Sequence, residues 1–238
     1  NLVSHPQVVS EVVDHDICIG CGICSGLCPS EILPMGWLPN GDLAPSVEGH
    51  CPPSCNVCFK ACPFHNESPN EDVLADTKFK GVSSVKIDPV VGFHVGSFVG
   101  HSLMEGHREN GASGGMATWI LENLLKEGLI DSVVAIGKSR ENDALFKFMT
   151  EKSLDNIRSA SGSIYNPVDI SDVIKLINSR GNEKRYAVVG LPCLLKGLEL
   201  AKRTMPRLKS RICFTLGLTC GYVPNNFYTQ YLGDLSVV

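Results

Sequence analysis

The spacing of apolar positions changes along the chain, and each change marks an element. Met116, Trp119, Ile120, Asn123, Leu124 and Glu127 fall at helical intervals, and Gly128 closes the run. Met116, Trp119 and Leu124 read as the core side of that helix. Ile170, Val173, Ile174 and Ile177 recur at i, i+3, i+4 and i+7, behind Asp169 as a cap. Pro192 sits where a first helical turn tolerates it and opens a helix to about Lys202. Pro224 to Leu232 reads as a short helix. Between these lie apolar runs of strand type: Val90 to Val99, Ser132 to Ile136, Leu145 to Met149, Ala187 to Val189 and Ile212 to Leu218. The alternation predicts an α/β domain with a mainly parallel or mixed sheet. Leu235 to Val238 reads as the start of one more strand, so the chain is expected to be part of a longer protein.

The first quarter follows another rule. Glu11 to His65 is rich in Cys, Pro and Gly and poor in apolar runs, so bound groups must supply much of its stability. Asn66 to Lys80 is a polar connector without clear periodicity. The expected division is a ferredoxin-like module over 1–65, a linker over 66–89 and an incomplete α/β domain over 90–238. Charge divides the chain in the same way: residues 1–80 hold ten Asp or Glu against three Lys or Arg, and residues 81–238 hold 15 against 18. The net charge of -4 argues against a nucleic-acid partner. With 43% apolar and 19% charged residues the chain is too apolar for disorder. No apolar run reaches the roughly 18–20 residues of a membrane span. Asn1 to Ser10 has neither the basic nor the apolar part of a signal peptide, so a cytoplasmic location is expected.

Eight of the 11 cysteines fall between Cys18 and Cys62. Cys18-Ile-Gly-Cys21-Gly-Ile-Cys24-Ser-Gly-Leu-Cys28-Pro29 has the C-x2-C-x2-C-x3-C-P spacing of bacterial ferredoxins. Cys51-Pro-Pro-Ser-Cys55-Asn-Val-Cys58-Phe-Lys-Ala-Cys62-Pro63 repeats it with one extra residue between its first two cysteines. In two-cluster ferredoxins the fourth cysteine of each motif crosses to the other cluster. That rule assigns Cys18, Cys21, Cys24 and Cys62 to one [4Fe-4S] cluster and Cys28, Cys51, Cys55 and Cys58 to a second. The alternative is a pair of all-thiolate zinc sites, which usually come as two C-x2-4-C knuckles around a spacer. His15, His50 and His65 flank motifs that already have four sulfurs each, and read as surface or supporting residues.

In the second unit Asn110-Gly-Ala-Ser-Gly-Gly115 precedes the helix at Met116. Small residues there expose amides to a phosphate, and Ser113 adds a hydroxyl. A tight turn is the plainer alternative. Neither G-x-G-x-x-G nor G-x-x-x-x-G-K-[ST] is present. Ser159 to Ser163 resembles a second such loop ahead of Tyr165, or a surface turn. Arg108 and Arg158 could neutralise phosphate or stay solvated, and His101 and His107 could donate to a ligand or be ordinary polar residues. Cys193, in Gly190-Leu-Pro-Cys193, stands between a strand end and a helix start, where a thiolate is favoured and open sheets place ligands. Cys213 reads as core, and Cys220 ends a strand.

The cysteine-rich head, followed by Gly111-Ala-Ser-Gly-Gly115, Ser161-Gly-Ser-Ile-Tyr165, Val189-Gly-Leu-Pro-Cys193 and Gly217 to Gly221, resembles the coenzyme F420 hydrogenase and dehydrogenase beta-subunit family. Its relatives include the beta subunit of F420-linked formate dehydrogenase and 7-hydroxymethyl chlorophyll a reductase. The resemblance implies FAD held non-covalently by the α/β part, with electrons passing between it and the clusters. F420 or another small redox partner would exchange hydride with the flavin. It would place Ser113, Gly114, Gly115, Ser161, Gly162, Ser163 and Tyr165 at the flavin, with Cys193 nearby. Ferredoxin or a catalytic subunit could serve as electron partner, and an oligomer is compatible. Three rival readings remain: an electron-transfer subunit without flavin, a flavin-dependent reductase of cell-envelope or polysaccharide metabolism, and a zinc-stabilised binding module.

Overall fold

Residues 5–139 and 144–236 are described by a computed structural model. A π-helical turn at Val9–Val13 leads into the short helix α1 (Ile23–Leu27). A hairpin follows, β1 (Met35–Trp37) with β2 (Leu43–Pro45), and then α2 (Val57–Ala61). Next come α3 (Glu71–Phe79) and a second hairpin, β3 (Lys86–Asp88) with β4 (Gly92–His94). The α/β part runs α4 (His107–Asn110), α5 (Met116–Lys126), β5 (Ser132–Lys138), β6 (Phe146–Glu151), α6 (Leu154–Ser159) and α7 (Ser171–Asn178). It continues through β7 (Tyr186–Gly190), α8 (Pro192–Thr204), α9 (Pro206–Arg211), β8 (Ile212–Gly217) and α10 (Asn226–Leu235).

The central sheet is mixed, in the order β6-β5-β7-β8, with β6 antiparallel and the other pairings parallel. Successive residues on its strands serve opposite layers. Val133 and Ala187 pack with Leu121 of α5 and Ile157 of α6. Val134, Tyr186 and Val188 face Ile174 and Ile177 of α7, Leu198 of α8 and Leu208 of α9. The second of these cores also takes in Ile23 and Leu27 of α1 and Ala61 of α2. The cysteine-rich module is thus built against α7 and α8, and its own small core is Val8, Val9, Val12, Ile32 and Leu33 around cysteine sulfurs. Each of these fully buried aliphatic side chains contributes about 1.5–3 kcal/mol of transfer free energy.

Several local expectations change in the fold. The polar connector contains α3, whose Asn70 Oδ1 accepts the Val73 amide at 3.0 Å. No α3 residue is buried; the Lys78–Glu199 and Lys196–Glu71 ion pairs, both 3.3 Å, hold it along α8. Only Gly92–His94 of the expected Val90–Val99 strand is extended in a ladder, and Phe98 and Val99 are exposed. On α5 the buried side chains are Thr118, Leu121 and Glu122, whereas Met116 and Trp119 face outward. Cys213 is exposed: on edge strand β8 it falls at the register shift between the Tyr186–Ile212 and Ala187–Phe214 pairs and has no partner in the ladder. Leu235 ends α10 instead of starting a strand, and Val237 and Val238 lie outside the described residues. The N-cap of α7 is Ile170 and not Asp169; Asp169 stands one residue earlier, where its Oδ1 accepts the Ser171 amide at 2.9 Å. No helix among the described residues is long and apolar enough to cross a membrane.

Candidate functional site

Each cysteine motif wraps the start of a short helix and ends it. Gly22, with φ of +75°, turns the chain into α1, and a side chain there would strike Asp169. Cys28 and Cys62 are the extended C-caps of α1 and α2, and the proline after each forbids another turn. Because α1 and α2 pack together, the terminal cysteine of each motif comes near the other motif's cysteines. The thiol of Cys62 is electrostatically coupled to Cys18, Cys21 and Cys24. Cys51 is coupled to Cys28 and Cys55, and Cys58 to Cys51 and Cys55. Cys28, Cys51, Cys55 and Cys58 together line a cavity with Pro6, Ile32 and Leu33. The quartets adjoin through Cys24 and Cys58.

Burial disfavours the thiolates. It pushes Cys21 up to about 12 and Cys58 up to about 11, and raises Cys18, Cys24, Cys51 and Cys62 as well. Backbone amides work the other way: Gly20 on Cys18, Ile23 on Cys21, Val8 and Phe59 on Cys58, Phe64 and His65 on Cys62. Buried sulfurs with amide donors and no other ligand type suit a soft, multiply charged iron–sulfur group, whose positive charge would favour deprotonation. Among the described residues no three His, Cys, Asp or Glu side chains are placed to hold a single metal ion. A cubane takes its thiolates at four separate corners.

The glycine-rich loop is tied down from several sides. Gly114 O accepts the Ser102 amide at 2.8 Å. Gly115, with φ of +69°, is the N-cap of α5, and a Cβ there would strike the His107 carbonyl, leaving no room for a side chain. Ser113 is exposed. Ser161 Oγ donates to Asn110 O at 3.1 Å, which brings the second loop onto the first. Gly162 and Ser163 are exposed, with no side-chain obstacle near Gly162. Tyr165 stacks on Tyr222, ring centroids 6.0 Å apart.

Cys193 lies elsewhere, at the start of α8, half-buried and coupled to Cys21 on one side and Cys220 on the other. Its thiol is raised, because burial outweighs the amides of Leu194 and Cys193, so the expected thiolate-favouring setting is absent. The fold therefore joins the two loops with each other and Cys193 with the first quartet.

Arg158 is not a free phosphate ligand: its Nε and Nη2 donate to Glu122 at 2.6 and 3.0 Å. Arg108 is exposed. His107 is buried, with Nε2 3.0 Å from Glu122 Oε1 and Nδ1 2.9 Å from Ser102 Oγ. Burial alone would raise the Glu122 carboxyl, yet the hydrogen bonds from Arg158, His107 and Lys126 hold it down at about 2. Ser102–His107–Glu122 has the connectivity of a hydrolytic triad. Ser102 is only 6% exposed and Arg158 already neutralises the carboxylate, so these residues form an internal brace. Glu122 and Ser102 carry no motif, and Arg158 lies 36 residues from its partner.

A cysteine-rich, ferredoxin-like module is packed against a mixed α/β domain. Residues 11–33 match a 4Fe-4S binding domain. Residues 97–175 and 183–235 match the N-terminal and C-terminal models of the coenzyme F420 hydrogenase/dehydrogenase beta subunit. The chain belongs to that family. It is 26% identical over 229 residues to the coenzyme F420-dependent sulfite reductase of Methanocaldococcus jannaschii, covering 89% of this chain and 32% of that one. It is 25% identical over 227 residues to one of the subunits of the F(420)H(2) dehydrogenase of Methanosarcina mazei, covering 90% and 56%. The chain thus spans about a third of the first of these relatives and just over half of the second. A chain of the F420-reducing [NiFe] hydrogenase complex from Methanosarcina barkeri aligns with TM-score 0.49 and 21% identity over 58% of this chain and 50% of that one.

Proposed function

We propose that the chain is an iron–sulfur flavoprotein oxidoreductase, or part of one, passing electrons between FAD and two [4Fe-4S] clusters. The observation that carries this is the pair of ferredoxin-spaced cysteine motifs brought together on packed helices α1 and α2; Cys18, Cys21, Cys24 and Cys62 are assigned to one cluster and Cys28, Cys51, Cys55 and Cys58 to the other. FAD supplies the exchange between two-electron and one-electron chemistry that clusters alone lack. The chain's own part is to bind and orient. Gly114, Gly115 and Ser113 offer amides and a hydroxyl to the pyrophosphate at the α5 start. Ser161, Gly162 and Ser163 border the same place, and Tyr165 with Tyr222 offers an exposed aromatic face. Cys193 stands between the first quartet and the sheet's ligand-favouring edge.

F420 or another small redox carrier is the proposed hydride partner, supported by the names of both relatives; ferredoxin or a catalytic subunit would take or give single electrons. The module at 1–65, the connector at 66–89 and the α/β part from 90 onward are the proposed working units, in a reducing, cytoplasmic setting that keeps the thiols free. The test is an anaerobic UV–visible spectrum of the purified protein, with iron, sulfide and flavin quantified on the same sample. About eight iron, eight sulfide and one FAD per chain are expected. Iron without flavin would reduce the role to a relay, and zinc without iron would overturn it.

A further inference from the structure

Glu122 is a fully buried carboxylate with three cationic or hydrogen-bonding partners and no role in the chemistry above. We propose that it is the positioning residue of the candidate flavin site, closing a ring of contacts that holds the Asn110–Gly115 and Ser159–Ser163 loops in one geometry. The inference rests on the flavin reading of those loops.

The ring can be followed bond by bond. The Ser102 amide donates to Gly114 O at 2.8 Å, and Ser102 Oγ meets His107 Nδ1 at 2.9 Å. Ser102 Oγ also accepts the Met104 amide at 3.2 Å, so its hydroxyl hydrogen is free to donate to His107 Nδ1. That assigns the Nε2 hydrogen to His107, which donates it to Glu122 Oε1 at 3.0 Å. Arg158 grips Glu122 with a two-nitrogen fork, and three residues later Ser161 Oγ returns to Asn110 O at 3.1 Å. One carboxylate therefore fixes α4 ahead of the glycine-rich loop, α5 behind it, and the second loop across from it. The same pairing commits Arg158 Nε and Nη2 to Glu122.

Lys126 supplies an internal control. It reaches Glu122 Oε2 at 3.2 Å from one turn further along α5, so it balances charge without tethering a loop. Glu122→Gln, Arg158→Gln, Arg158→Lys and Lys126→Gln would be compared in the holoprotein. Three readouts are needed: amide hydrogen exchange, FAD affinity by fluorescence titration, and iron content. Glu122→Gln and Arg158→Gln are expected to raise exchange in residues 107–115 and 159–163 together and to weaken FAD binding about ten-fold or more. Lys126→Gln should stay within about two-fold, since it cuts no tether. Arg158→Lys, which keeps charge but not the fork, should fall between, with iron content constant throughout. The proposal is overturned if the two loops loosen independently, or if Lys126→Gln weakens FAD as much as Arg158→Gln. A wild-type protein that takes up no FAD would sink the flavin reading alone, and the exchange data would still decide whether Glu122 couples the loops. Should Glu122→Gln fail to fold, the Arg158 pair carries the test.

Discussion

Gly26→Ala is a substitution for which local and tertiary physics predict opposite signs. Gly26 lies inside α1, where alanine is favoured over glycine by about 1 kcal/mol. A Cβ there would stand 2.6 Å from Ile174 Cβ and 2.7 Å from the Ser171 carbonyl oxygen of α7. Neither obstacle is the loose end of a side chain: one is backbone and the other is attached directly to it. Relief requires α1 and α7 to separate by several tenths of an ångström, and overpacking of this kind costs about 1–3 kcal/mol, occasionally more. Taking the upper part of that range against the helix gain leaves a net destabilisation of about 1–2 kcal/mol. With a urea slope of about 1–3 kcal/mol per molar, the midpoint should fall by roughly 0.3–2 M. The assay is an anaerobic urea titration followed by far-UV circular dichroism and cluster absorbance. Gly233→Ala in α10, where nothing lies within 4 Å of the added carbon, is the matched control and should be neutral or slightly stabilising. A Gly26→Ala protein as stable as wild type would refute the claim that α1 is seated immovably on α7.

Other outcomes follow from single sites. Cys62→Ala should remove about four of the eight irons, because Cys62 joins the first triplet, whereas exposed Cys213→Ala should leave metal content unchanged; equal loss in both would contradict the grouping. Asp131 is held down at about 2 by hydrogen bonds from the Arg185 side chain and amide. A depressed carboxyl stabilises the fold above its unfolded value near 3.8 and loses that contribution as pH falls toward 2. The stability difference between wild type and Asp131→Asn should therefore be flat above about pH 5 and shrink below pH 4; a difference that grew on acidification would reverse the sign of the argument.

Much of the layout was legible from spacing. Helix α7 falls where its apolar repeat places it, and β5, β7 and β8 coincide with short apolar runs flanked by polar residues or glycine. Helix α3 was hidden because it buries nothing: its support is Asn70 and two ion pairs to α8, none of which leaves a periodic trace. The face of α5 was misassigned for the reverse reason. Trp119 looks like core and is exposed, while Glu122 looks like solvent and is fully buried, because Arg158 and His107 repay its desolvation.

Local rules thus account for what happens within a few residues. The ferredoxin spacing, the Cys-Pro helix ends and the left-handed glycines at Gly22 and Gly115 each follow from covalent geometry acting over one turn of chain. The two proposed cysteine quartets come from the general cross-ligation rule, and the packing of α1 on α2 brings the two motifs side by side. Three features depended on the tertiary structure: Cys193 turned toward Cys21, Gly26 pressed against α7, and two loops some fifty residues apart closed around one carboxylate. The physical reason is that burial and ion pairing depend on neighbours brought together by the packed sheet, and at those distances in sequence no periodicity records who the neighbour will be.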